Sequence, residues 1–248
     1  MYHLCFESKA TLFLFAHLKQ SIMEKITIKE LVEFGRKSDK SKKRFAHKLK
    51  TRALSQETKK TSSGGDYWIT STSCILRVLK TGKKELYDQK IEELLAKMKS
   101  SNYQISKVMF QRNIDILTRF SDIDLDLLSG NGYKIETVSK QSQIMHINGF
   151  FLYVNPKFVF SFDLNGEPTI GSIWLITKLD GYSKSEVGLF CEMLYRFLVL
   201  NHGENHHISE EHCIVIETFS GIKMKHSELS SGRIPFRIDN ILREIKNL

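Results

Sequence analysis

The stretch FVFSFDLNGEPTIGSIWLIT, residues 158–177, decides the fold class. Asn165-Gly166 separates two runs rich in aromatic and β-branched residues, and that dipeptide favours a tight turn whose two central residues take positive φ. A β-hairpin is therefore expected. Downstream, Ser183 and Glu186 stand three apart as a capping box, which predicts a helix from 183 to about 200. Residues 212–219 then form an apolar run of strand length, and Pro235, suited to a first helical turn, opens a last expected helix over 235–247. Upstream, the Ser-Gly-Asn-Gly turn at 129–132 marks a change from helical to strand-like period, with strands expected at 133–138, 143–147 and 150–163, then at 170–179 after the hairpin turn.

The N-terminal half reads as helical. Leu86, Ile91, Leu94, Leu95 and Met98 recur at helical spacing over 85–98, and 67–79 and 105–120 show similar patterns. Thr27 and Glu30 make another capping box for a helix over 28–34, which Gly35 would close in a left-handed conformation. Ser, Thr, Lys and Gly dominate residues 55–65, the composition of a linker. The fold class is thus α+β: a helical region over 23–126 packed with a mixed or antiparallel sheet over 127–248, flanked by two helices. Residues 23–248 could form one structural unit. Met23 offers a second start, which makes 1–22 an expected extension that the fold does not need; the other reading is a short docking helix using Leu12, Phe13 and Phe15.

Charge is concentrated in one place. The chain has 37 Lys and Arg against 28 Asp and Glu, a net charge of +9. Residues 36–52 hold Arg36, Lys37, Lys40, Lys42, Lys43, Arg44, Lys48, Lys50 and Arg52 against Asp39 alone, a local balance of +8. Phe45 and Leu49, four apart, give a helix there one narrow apolar stripe to dock while its lysines face solvent. Such a run suits nucleic acid, an anionic lipid or an acidic protein. With Phe45 as its only aromatic, the run offers no ladder for stacking single-stranded bases.

Cys5, Cys74, Cys191 and Cys213 are widely spaced without a Cys-x-x-Cys, so neither a zinc ribbon nor a disulfide framework is indicated, and a reducing cytoplasm fits. The longest apolar run, within residues 10–18, is shorter than the roughly 20 residues of a membrane span. No membrane partner is expected.

Asp66-Tyr67-Trp68, Val154-Asn155-Pro156, Gly171-Ser172-Ile173 and Cys213-Ile214-Val215-Ile216-Glu217, followed by Phe219 and Gly221, resemble motifs of a family of uncharacterised bacterial proteins of unknown activity, from about Ile26 onward. In that family a glutamate commonly follows the proline and a lysine closes the Gly-x-Ile strand. Here those positions hold Lys157 and Trp174, so the resemblance implies no activity that depends on that acid and base.

The order strand, hairpin, strand, helix, strand also resembles the PD-(D/E)XK nuclease core, in which carboxylates hold magnesium beside a lysine. Asp163, Glu217 and Lys178 would be its candidates, but Ile176 stands two before Lys178 where a carboxylate is wanted. His202, His206, His207 and His212 lie near Cys213 with Glu204, Glu210 and Glu211, yet their spacing matches no zinc pattern and a solvated loop is expected. A phosphate-cradling Gly-rich loop and a Gly-x-Ser-x-Gly elbow are both missing from the sequence. The first expectation is a non-catalytic accessory protein that binds nucleic acid or another polyanion through 36–52. A magnesium-dependent nuclease or its degenerate relative is the second, and a module meeting an acidic partner protein the third.

Overall fold

The computed structural model describes residues 25–51, 67–123 and 132–248. The extension 1–22, the linker 55–65, Arg52 and Asp66 lie outside them. The described chain has an α+β fold, in two compact units assembled from non-contiguous segments.

The larger unit spans 61–143 and 154–238. Its mixed sheet has the order β2 (Lys134–Glu136), β5 (Phe158–Leu164), β6 (Glu167–Ile176), β7 (His207–Glu217) and β8 (Lys223–Lys225). Only β6 and β7 run parallel, joined through helix α6 (Lys184–His202). Side chains two apart on a strand share a face, so Phe158, Phe160 and Phe162 all enter the same core. There they meet α3 (Ile69–Thr81), α4 (Glu85–Ser100) and α5 (Gln104–Ser121) through Ile75, Leu79, Leu94, Leu117 and Phe120. The opposite face is covered by α6, where the Trp174 ring meets Phe190 edge-on at 5.5 Å.

The predicted hairpin forms at Asn165-Gly166, with φ of 57° and 87°. The second predicted capping box forms too: Ser183 Oγ accepts from the Glu186 amide at 3.4 Å, and the Ser183 amide donates to Glu186 Oε2 at 2.8 Å. Inside the unit, the buried carboxylate of Glu192 accepts from the amides of Arg237 at 2.8 Å and Ile238 at 3.1 Å and from the Arg196 guanidinium at 2.7 Å.

The smaller unit gathers described residues 25–51, 144–153 and 239–248. Strand β1 (Ile26–Thr27) leads directly into α1 (Ile28–Gly35), and a three-residue connection leads to α2 (Asp39–Thr51). A hairpin of β3 (Ile144–Ile147) and β4 (Phe150–Tyr153) turns at Asn148-Gly149, and β4 pairs with β1. Helix α8 (Ile238–Asn247) contributes Ile241, Leu242 and Ile245 as buried residues.

Three expectations are corrected. Residues 150–163 are not one strand: Pro156, lacking an N–H, lies in a break between β4 and β5, which join different sheets. Gly35 does not close α1 in a left-handed conformation; the helix ends at Arg36, whose φ is −79°. The strand expected from 212 starts earlier: residues 207–211, expected in a loop, already belong to β7 (His207–Glu217). The short strand β8 and helix α7 (Ser227–Ser230) had no counterpart in the expectations from sequence.

Candidate functional site

The basic run falls on α1, the turn and α2, and local sequence explains the arrangement. Thr27 starts α1 by accepting from the Glu30 amide at 3.3 Å, while Glu30 Oε2 accepts from the Thr27 amide at 2.9 Å. Ile28, Leu31, Val32 and Phe34 are buried. At Ser38 the chain turns again, its carbonyl accepting from the amides of Ser41 and Lys42 at 2.8 Å each.

At about 100° per residue, Lys42, Phe45, Ala46 and Leu49 share one side of α2, while Lys40, Lys43, Arg44, His47 and Lys48 share the other. Burial follows that division. Ala46 and Leu49 are buried, Lys42 and Phe45 half-buried, and the five residues of the second set exposed. Their side chains have no ion pair or hydrogen-bond partner among the described residues.

Two of the expected contact residues are engaged within the unit instead. Lys42 Nζ lies 2.8 Å from Glu244 Oε1 and 5.3 Å from the centre of the Phe34 ring. Lys37 Nζ pairs with Glu33 at 3.0 Å and lies 4.7 Å from the centre of the Phe45 ring. Arg36, at the end of α1, and Lys50 are exposed, and Arg52 lies outside the described residues. The described part of the smaller unit holds 12 Lys and Arg against 5 Asp and Glu; that of the larger unit holds 20 against 17. The positive excess therefore belongs mostly to the smaller unit.

The nuclease candidates do not meet. Asp163 stands opposite Pro168, near the start of β6, and its Oδ1 accepts from the Gly166 amide at 2.7 Å. Glu217 stands opposite Ile176, eight residues further along β6, a separation of roughly 26 Å at strand rise. Its carboxylate is buried and accepts from the amides of Phe219 and Ser220, closing the turn after β7. Lys178, just beyond β6, pairs with Asp180 at 3.3 Å. Lys157 lies one residue before β5, whose first residue Phe158 stands opposite Ile173, the neighbour of Trp174. Lys157 is exposed, and the Trp174 indole packs on Phe190.

Among the described residues, no group of three or more His, Cys, Asp or Glu side chains could hold a metal ion. His212 Nδ1 is 2.8 Å from Ser209 Oγ, and its ring lies 4.6 Å from that of Phe162. Burial lowers the pKa of His212, with Lys225 adding to the effect and Glu211 opposing it. Cys74, Cys191 and Cys213 are buried thiols, and burial together with Cys191 pushes the Cys213 thiol up. No described helix is long and apolar enough to cross a membrane. No family model, curated protein or solved structure matches the chain.

Proposed function

We propose that this chain is a non-catalytic nucleic-acid-binding protein that uses the exposed face of α2. The observation that carries this reading is the division of one 13-residue helix into an apolar side turned inward and a side bearing Lys40, Lys43, Arg44, His47 and Lys48. Cations held along a rigid helix displace counterions from a phosphate chain, and that release supplies most sequence-independent affinity. A solvated charge run would not need its apolar residues in one stripe; this helix has them, so its basic face is held in a fixed array.

The test is fluorescence anisotropy on a mixed nucleic-acid pool over a salt series. Replacing Lys43, Arg44 and Lys48 by Ala should reduce the salt slope by nearly three units, at about 0.9 per lost phosphate contact. The charge-matched control replaces Lys80, Lys83 and Lys84, all exposed in the larger unit. Equal weakening in both variants would assign the affinity to net charge and sink the reading.

The second reading is descent from a metal-dependent nuclease. Its support is the sheet order, with a β5–β6 hairpin, a helical crossover and a parallel β7. The separation of Asp163 from Glu217 favours a core that keeps the architecture without the reaction.

A further inference from the structure

The smaller unit contains more than a charged helix. Helix α1, a three-residue turn at 36–38 and helix α2 follow in sequence, and α1 packs against α2. Strand β1, from which α1 springs, is hydrogen-bonded to the β3–β4 hairpin through Ile26 opposite Leu152 and Thr27 opposite Tyr153. Two helices joined by so short a turn, the second exposed along one face, have the connection length of a helix–turn–helix. In such a motif the second helix is the one that can enter a groove.

We infer that the smaller unit docks on B-form double-stranded DNA, with α2 in the major groove and Lys40, Lys43, Arg44, His47 and Lys48 facing the duplex. This rests on the nucleic-acid-binding function proposed above and narrows it to one form of nucleic acid.

The dimensions agree. An α-helix with its side chains is about 10–12 Å across, and the major groove of B-DNA is about 12 Å wide. From Lys40 to Lys48 the basic stripe rises about 12 Å along the helix axis, so one face can address both groove walls over a short length of duplex.

The same observations weigh against other anionic occupants. A basic amphipathic helix binds a membrane surface by inserting its apolar side, but Ala46 and Leu49 are buried in the protein. Single strands are held by bases stacking on exposed aromatics, whereas Phe45, the only aromatic of α2 apart from His47, is half-buried with the Lys37 ammonium over its ring. Duplex RNA carries the same backbone charge, but its deep, narrow major groove does not admit a helix.

Anisotropy titrations of the full chain with duplex DNA, single-stranded DNA and duplex RNA of equal length and mixed sequence test the inference. Duplex DNA should bind at least about tenfold more tightly than either alternative at the same salt, with a log–log salt slope of about −3.6 if Lys40, Lys43, Arg44 and Lys48 each meet a phosphate. The triple variant Lys43→Ala, Arg44→Ala, Lys48→Ala should lose this preference. Its thermal melt should match wild type, because all three side chains are exposed. Equal binding of the three nucleic acids, weakened equally in the triple variant, would overturn groove docking and leave the general function standing. Binding of none, or binding of duplex DNA untouched by the triple variant, would overturn both.

Discussion

Lys42 donates from Nζ to Glu244 Oε1 at 2.8 Å, joining α2 to α8 across 202 positions of sequence. The next residue, Lys43, is turned about 100° further round the same helix and is exposed. Two adjacent lysines of equal charge thus have different work, one inside the unit and one on its surface.

Lys42→Met and Lys43→Met remove the same charge, so a comparison isolates position. Lys42→Met is expected to lower stability by up to about 1 kcal/mol, the usual range for a partly exposed ion pair, with little change in affinity for nucleic acid. Lys43→Met should leave the melt unchanged and reduce the salt slope by about one unit. Paired melts and anisotropy titrations check both halves; identical affinity losses would show that the orientation of α2 has no bearing on binding.

Metal-dependent cleavage is not expected. With Asp163 and Glu217 at opposite ends of β6, they cannot share a cation whose carboxylate ligands lie within about 2–2.6 Å of it. Incubating DNA and RNA with the protein and magnesium or manganese should leave them intact. Cleavage abolished by Asp163→Ala would revive the nuclease reading.

Gly171 is closely packed within the sheet. The β6–β7 register shifts between Ile170 and Ser172, whose partners Ile208 and Cys213 leave four residues of β7 between them. That excursion is closed by Ser209 Oγ, which accepts from the His212 amide at 3.3 Å, and it brings His212 over the glycine. A Cβ at 171 would lie 2.7 Å from His212 Cβ and 2.7 Å from Phe160 Cζ. Gly171→Ala should cost about 1–3 kcal/mol in urea unfolding, as overpacking does, while Gly132→Ala, with open space around it, should cost little. Equal losses would mean that the excursion relaxes away from the added methyl.

Acid should destabilise the larger unit earlier than carboxylate titration alone would. Burial lowers the pKa of His202, His212 and His226 below the ordinary value of 6.5; a Glu210 carboxylate 3.4 Å from His226 Nδ1 only partly opposes this, and the His226 ring lies flat on Tyr195 at 3.7 Å between centres. Below 6.5 the unfolded chain binds protons that the folded chain still refuses. Stability therefore holds above the unfolded value and falls as pH drops through 6.5 toward the folded values. Urea unfolding from about pH 7.5 to pH 5.5 should show this decline, and His226→Phe, which keeps a ring on Tyr195, should make it shallower. A flat profile in wild type would contradict it.

Local chemistry made much of this fold legible. Thr27 with Glu30 and Ser183 with Glu186 each announced a helix start, because the reciprocal bonds involve only residues three apart. Asn165-Gly166 reads as a hairpin from sequence, whereas Asn148-Gly149, with φ of 52° and 87°, makes the same kind of turn that only the structure reveals. Its flanks, β3 and β4, lie within strands expected at 143–147 and 150–163, but running the second of these on through Pro156 conceals a separate two-stranded hairpin. The polar string from Ser209 to His212 hid the first half of β7, since that part of the strand bulges away from its partner. The basic surface was legible as charge, and Phe45 with Leu49 pointed to its apolar side. The withdrawal of Lys37 and Lys42 was not, because Lys42 depends on a glutamate two hundred positions away.

The smaller unit has a consequence for biosynthesis. Its β1–β4 pairing needs residue 153, and its Lys42–Glu244 pair needs residue 244, so a ribosome that has made only α1 and α2 has made a fragment with apolar residues uncovered. Closing such long loops is slow while the intervening chain is unstructured, and domains generally consolidate as units during synthesis. Acquisition of the packed, basic face of α2 is thereby deferred until nearly all of residues 25–248 have emerged. A truncated or stalled product would carry the lysines of α2 without the hairpin and α8 that complete the smaller unit's core.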